Sequence, residues 1–404
     1  MHAIAIVRKV LSPFLKKIHS RRLDALFVAI EALFLGGRLS LTALGRNCAG
    51  PVAQRHQIKR IDRLLGNQRL HGELPAVFGA VAQLLLRTLT RPLLLVDWTQ
   101  VGERQWALVA AVAVSGRALP IYVEVHRERL LANRRVERRF LKALARLLPS
   151  HCRPVIVTDA GFRNPWFLAV RELGWDFVGR LGKNVKTRPE GSCQLRRVSE
   201  LFDVERDRAV DLGMHFVTER RPMDARLVVY KARAKGRKGW RKVNRRGVHP
   251  GSSSYKKYQR RAAEPWVLVT SLTDPSAAGI VSLYARRMQI EETFRDAKSH
   301  RFGWSFEDAR SRYVRRLEVL LLLATIGMLA AMLVGNASER ADLQYEYQAS
   351  TTRRRRVLSL FTLGAQIVRR GDRRCLSVAS IREALRQVAS LGCAEHVSRN
   401  SLIY

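Results

Sequence analysis

Apolar residues recur along this chain at two different spacings, and the switch between them marks out its parts. In LDALFVAIEALFLGG, residues 23–37, they return every three to four positions as on a helix, and Gly37 supplies a stop. LSLTALGRN opens another helical turn after Ser40, and QIKRIDRLLGN sets Lys59, Arg60 and Arg63 around Ile61, Leu64 and Leu65. Residues 1–85 therefore read as a helical domain. Short helices that carry basic residues suit a small DNA-contacting bundle, and a helical cap with a solvated basic face would leave the same pattern.

The pattern changes at RPLLLVDWT, a short apolar run that ends in a carboxylate. WALVAAVAVSG and RALPIYVEVH follow as strand candidates, the second of them alternating. A helix is predicted over Asn133–Leu148, then RPVIVTDAGF as another strand ending in a carboxylate, FLAVRELG as a helix and WDFVGRL as a strand. Three strands, a crossover helix, a strand, a helix and a strand make the first part of an α/β layered core, residues 86–182. Residues 183–265 lose helical periodicity, hold short strand candidates such as ARLVVYKARA, and are very basic. They read as a mostly β insertion or a set of long loops, with Lys231, Lys235, Lys238 and Lys242 as a candidate phosphate-contacting surface or a plain solvated one. PWVLVTSL resumes the core, whose second part is residues 266–340, with helices predicted over Ile280–His300 and Arg310–Val334. Residues 341–404 make a helical C-terminal region that ends in IREALRQVAS.

Charge narrows the choice of partner. The 404 residues hold 73 Lys plus Arg against 34 Asp plus Glu, a formal net charge of +39, far beyond solubility needs. A polyanionic partner is the physical expectation, double-stranded DNA being one such partner, and a ribosomal or membrane-surface protein could be as basic. Charge alone fixes the partner and not an activity. Cys48, Cys152, Cys193, Cys375 and Cys393 lack the close spacing of a zinc site, and an odd, scattered set suits reduced thiols in the cytoplasm. The opening MHAIAIVRKVLSPFLKK lacks the order of a signal peptide. Val319–Val334 is almost wholly apolar, but it is short for a span and Arg315, Arg316 and Glu318 crowd one end, so a buried helix and no membrane association are predicted.

Three carboxylates carry the candidate chemistry. Asp97 and Asp159 each close an apolar run, LLLVD and VIVTD, and sites in open α/β sheets collect where such strands end. A strand-end Asp is also a common turn residue. The third comes from YARRMQIEETFRDAK. On one continuous helix Tyr284, Arg287, Glu291 and Lys298 would share a stripe, while Glu292 and Asp296 would face elsewhere as solvated charges. Such a stripe makes sense against metal ions and a phosphodiester, with Glu291 as a metal ligand and Tyr284, Arg287 and Lys298 on DNA phosphates. An Arg287–Glu291 ion pair on a surface helix is the plainer alternative. Oxygen donors from Asp and Glu suit Mg²⁺, with Mn²⁺ as a substitute.

At these residues the sequence resembles the bacterial insertion-sequence transposases of the DDE type. The subgroup in question has the signature Tyr, two residues, Arg, three residues, Glu, six residues, Lys. Tyr284, Arg287, Glu291 and Lys298 fit it at every position, LLLVDWT and VIVTDAGFRNPWF look like the segments around the family's two aspartates, and Thr270–Leu272 like the strand before its glutamate helix. The resemblance implies an RNase H-like catalytic core interrupted by a mostly β insertion, with Asp97, Asp159 and Glu291 as catalytic residues. It also implies two divalent cations, a homodimer on transposon ends, and strand transfer of a 3′-OH into target DNA. A nuclease without strand transfer and an inactive DNA-binding relic would keep the same residues.

Overall fold

A computed structural model of the chain describes residues 2–16, 18–219, 222–232, 264–301, 303–349, 351–352 and 354–399. They divide into two units: residues 1–155 with 286–394, and residues 156–285 with 395–404.

The first unit begins with the helices His2–Leu11, Ser20–Gly36, Leu41–Arg46, Gln54–Leu65 and Gln68–Leu86. The stop read at Gly37 is real: this residue takes a left-handed φ of 61°, a conformation that glycine adopts without a Cβ clash. Ser40 caps the next helix by accepting from the Ala43 N–H. An antiparallel meander follows, of β1 (Leu93–Gln100), β2 (Gln105–Ala113) and β3 (Ala118–Arg127), with Asp97 opposite Val109 and Val109 opposite Val123. The helix Arg134–Leu147 comes next in the chain, and Met288–Lys298, Val314–Glu339, Leu360–Arg370 and Val378–Ser390 complete the unit.

Val314–Glu339 is the core of this unit. By length and composition the helix could cross a membrane, yet 94% of its apolar window is buried inside the protein. It packs on β3 and on the helices Ser20–Gly36, Leu360–Arg370 and Val378–Ser390. Burying each of its leucines is worth roughly 1.5–3 kcal/mol, so this helix organises the hydrophobic interior. Its one buried charge, Glu318, is satisfied: the carboxylate accepts from the Val125 N–H of β3 at 3.0 Å and from Arg315 at 2.9 Å.

The second unit carries a sheet in the order β4-β5-β10-β9-β8-β6-β7. Its strands are β4 (Val155–Thr158), β5 (Asp176–Arg180), β6 (Lys186–Pro189), β7 (Arg196–Arg197), β8 (Ala209–Val217), β9 (Met223–Tyr230) and β10 (Trp266–Thr270). The helices Asn164–Glu172 and Ala277–Ala285 belong to it, and Phe167 of the first packs its ring 4.7 Å from that of Phe177 on β5. Among the described residues, the stretch read from sequence as a mostly β insertion or long loops contributes its strands to this same sheet. Its strand β9 pairs antiparallel with β10, which pairs antiparallel with β5, so these strands extend one sheet. Lys231 lies just past β9; Lys235, Lys238 and Lys242 lie outside the described residues.

Candidate active site

Strand β1 explains how Asp97 is held. The four residues before it, Leu93–Val96, are fully buried, and the strand was expected to stop at the carboxylate. It continues instead through Gln100, paired to β2 all the way, so Asp97 sits on a rigid strand interior rather than a frayed end. Alternation along a strand puts Asp97 and Thr99 on one face and Trp98 on the other. Trp98 Nε1 donates to Glu137 Oε1 at 3.2 Å.

The helix that carries Glu291 differs from expectation. One helix was predicted over Ile280–His300; two form, Ala277–Ala285 and Met288–Lys298, with Arg286 and Arg287 in the turn between them. Tyr284 therefore leaves the stripe. It belongs to the first helix, in the other unit, is 3% exposed, and meets the Trp266 ring edge-on at 4.9 Å. Arg287, Glu291 and Lys298 stay together, within about 40° of one another at 100° per residue.

The opposite face of that helix is what fixes it. Gln289 accepts from the Val114 N–H at 3.0 Å, and the Thr293 hydroxyl accepts from the Ala118 N–H at 2.8 Å. Arg117 Nε donates to Asp296 Oδ2 at 2.5 Å. These three bonds tie the helix to the turn between β2 and β3. Asp296 is only 3% exposed, which corrects its reading as a solvated charge, and Glu292, half-buried, pairs with Arg295 and lies 3.8 Å from Arg117. Burial pushes the Asp296 carboxyl above its ordinary value, and Arg117 opposes that shift. Arg117→Met is expected to cost about 3 kcal/mol by stranding a buried carboxylate, and Asp296→Asn distinctly less, as read from urea unfolding midpoints.

On the Glu291 face a single guanidinium spans two acids. Arg287 comes to 2.6 Å from Glu291 Oε1 and 3.7 Å from Asp97 Oδ2, with its own side chain and that of Asp97 each 15% exposed. The expected Arg287–Glu291 pair is present, then, from the helix's N-cap to its first turn, and it is one half of a three-residue cluster that joins helix to strand. Lys298 closes the same face, donating to Thr99 Oγ1 at 2.6 Å, with Phe294 beneath its ammonium. Burial lowers Lys298 from its ordinary value to about 8, and Glu307 and Asp97 pull it back up.

Asp159 follows β4 directly, in the second unit, as its strand-end reading anticipates. Its Oδ1 accepts from the Gly161 N–H at 2.9 Å, a local turn that fixes the carboxylate's rotamer. Four of the six signature and carboxylate positions thus meet in the first unit, Asp97, Arg287, Glu291 and Lys298; Asp159 and Tyr284 belong to the second. Among the described residues no group of three His, Cys, Asp or Glu side chains is placed to hold a metal ion. Asp97 and Glu291 do fit a hard divalent cation by donor type: both are oxygen ligands, and they are already gathered by one positive group. Mg²⁺ commonly takes one or two carboxylates and completes its shell with water and substrate phosphate.

The family model of the transposase DDE domain matches residues 90–329, more than half of the chain. The chain belongs to that family. The matched part of this transposase DDE domain includes Asp97, Asp159 and Glu291, and membership supports a transposase function in general. No curated protein matches the chain. Lys59, Arg60 and Arg63 lie outside the match, exposed on the helix Gln54–Leu65.

Sequence reasoning missed several residues that build the site. Thr99 was within reach of it, because it lies two positions from Asp97 and so shares its face. Arg117, Gln289, Thr293 and Glu137 gave no such signal, since their partners lie far away in the chain.

Proposed function

We propose that this DDE-family protein cuts DNA at the ends of a mobile element and joins the freed 3′-OH to target DNA, with Asp97, Asp159 and Glu291 as its catalytic carboxylates. The observation that carries the reading is the Arg287 guanidinium held between Asp97 and Glu291. A strand acid and a helix acid gathered on one cation, in a chain with a net charge of +39, suit a site for phosphodiesters and metal. The spacing Tyr284, Arg287, Glu291, Lys298 supports the bacterial insertion-sequence subgroup, an RNase H-like core, and a dimer on DNA.

In this reading water attacks the phosphorus at the element's end, the bond to the 3′ oxygen breaks, and that oxygen leaves with a proton as a 3′-OH. The same hydroxyl then attacks a target phosphodiester, displaces its 3′ oxygen and forms the joined strand. Two Mg²⁺ ions, or Mn²⁺, when bound, supply the pull on the nucleophile and on the leaving oxygen. Arg287 holds Asp97 and Glu291 in place before DNA arrives, and Lys298 holds a phosphate oxygen. Tyr284, packed on Trp266, supports the segment leading to Arg287. The test is incubation of purified protein with duplex DNA bearing the flanking repeats. Cleavage leaving a 3′-OH with Mg²⁺ and none with EDTA is expected; metal-independent cleavage, or none under any condition, would count against the reading.

Lys298 makes the activity pH-dependent. Its ammonium is charged at neutral pH and lost as pH rises through about 8, so DNA affinity should fall by up to about tenfold between pH 7 and 9. Stability runs the other way. The folded pKa lies below the ordinary 10.5, so between about 8 and 10.5 the unfolded state binds more protons, and this lysine's contribution to stability rises with pH. Lys298→Arg should flatten the affinity profile; an unchanged profile would remove Lys298 from the phosphate site.

A further inference from the structure

The helix Arg134–Leu147 is joined to β1 through Glu137, and its outer face is strongly basic. At 100° per residue Arg134, Arg135, Arg138, Arg139, Lys142 and Arg146 fall within a sector of about 140°. All six are exposed, while Val136, Glu137, Phe140, Leu141 and Leu144 are buried on the other side. The helix has a single acid, Glu137, and that one faces inward to Trp98, so the outer sector carries no carboxylate of its own. Arg139 reaches Glu124 at 3.5 Å; Arg134, Arg135, Lys142 and Arg146 make no ion pair among the described residues.

Such a face works against the helix that bears it. Like charges at i,i+4 destabilise by a few tenths of a kcal/mol per pair, and Arg134, Arg138, Lys142 and Arg146 form an unbroken row at that spacing. The row is about 18 Å long at 1.5 Å per residue, which passes roughly five phosphates of one DNA strand at 3.4 Å each. Five of the six cations are Arg, whose fork of donors suits phosphate oxygens. The Glu137–Trp98 bond fixes the row to β1, on the face of the strand away from Asp97.

We propose that this face is a sequence-independent track for the phosphate backbone of duplex DNA. The proposal rests on the transposase reading above and adds to it the surface that supplies non-specific affinity.

The test is binding of the full-length protein to a short labelled duplex, followed by anisotropy between about 50 and 200 mM salt. One variant combines Arg134→Gln, Arg135→Gln, Lys142→Gln and Arg146→Gln. Its plot of log affinity against log salt should be shallower by about 3 to 4, near 0.9 per lost phosphate contact, and equally so on element-end and scrambled duplexes. Exchanging Arg for Lys and Lys for Arg at the same positions should keep the wild-type slope. If the quadruple variant unfolds early, Arg134→Gln and Arg146→Gln alone should each lower the slope by about 0.9.

An unchanged slope in a variant with the wild-type unfolding midpoint overturns the track. So does a change confined to the element-end duplex, or one seen on duplex RNA and not on DNA. An unchanged slope alongside a wild type that still cuts DNA sinks only the track, whereas a wild type that binds no duplex at the lowest salt sinks the transposase reading as well.

Discussion

Asp97→Asn, Asp159→Asn and Glu291→Gln should each lower metal-dependent DNA cleavage by at least about a thousandfold while leaving the fold intact. Each substitution keeps the shape and removes the charge, so the loss falls on metal affinity and on the electrostatic stabilisation of a phosphodiester in displacement. Glu291 is 43% exposed on its side chain, and Asp159 sits in a local turn, so neither supports the core. Asp97 is held by a paired strand and by Arg287, and a neutral amide there still fits. Arg287→Ala should behave differently. It frees two carboxylates that then repel, so cleavage should fall by a smaller factor, and a higher Mg²⁺ concentration should recover part of it. Single-turnover cleavage across a metal titration separates the two behaviours. Equal cutting by all three carboxylate variants would remove them from the site.

Gly364→Ala should unfold the first unit far more readily than its single added methyl suggests. A Cβ at Gly364 would lie 1.8 Å from the Ala331 carbonyl oxygen and 2.7 Å from the Gly335 nitrogen, both backbone atoms of the helix Val314–Glu339. From the other side, a Cβ at Gly335 would lie 2.0 Å from the Leu360 carbonyl oxygen. The two helices meet backbone to backbone, and a methyl between them must push them apart along a face that is almost entirely buried. Overpacking of this kind costs about 3 kcal/mol or more, because no flexible side chain can give way. Gly72→Ala is the control. It lies in the helix Gln68–Leu86 with nothing within 4 Å of the new methyl, and it should stabilise by about 0.5–1 kcal/mol. Thermal unfolding of the pair should therefore move in opposite directions. A Gly364→Ala protein with a wild-type midpoint would mean that the two helices do not meet backbone to backbone.

How much of this the sequence held depends on how local the cause is. The strands before Asp97 and Asp159 were legible because an unbroken buried run, Leu93–Val96 in one case and Val155–Thr158 in the other, leads into each carboxylate. The helix stop at Gly37 and the cap at Ser40 were legible because glycine and serine act on their own backbone. The break between Tyr284 and Arg287 was not. Arg286 and Arg287 are ordinary helix formers, and the second helix takes its course from Gln289, Thr293 and Asp296, whose partners Val114, Ala118 and Arg117 lie at the turn between β2 and β3. Asp296 looked solvated for the same reason, since a buried pair with so distant a partner leaves no local pattern. The spacing of Arg287, Glu291 and Lys298 survived the break because all three fall at or after it. Val319–Val334 was read as buried from its length and flanking charges; the helix predicted over Arg310–Val334 begins at Val314 instead and runs on to Glu339, with Ala337 buried beyond the predicted end.

The family match reaches transposase function in general, and strand joining is the part of the proposal that separates this protein from a nuclease on the same core. The direct measurement supplies the protein with a pre-cleaved element end carrying a free 3′-OH, a supercoiled plasmid and Mg²⁺, and sequences the junctions. End–plasmid junctions formed through the 3′-OH are expected from the wild type, and none from Asp97→Asn or Glu291→Gln. Cleavage of full-length ends without any joined product, or joining undiminished in those variants, would contradict the proposal.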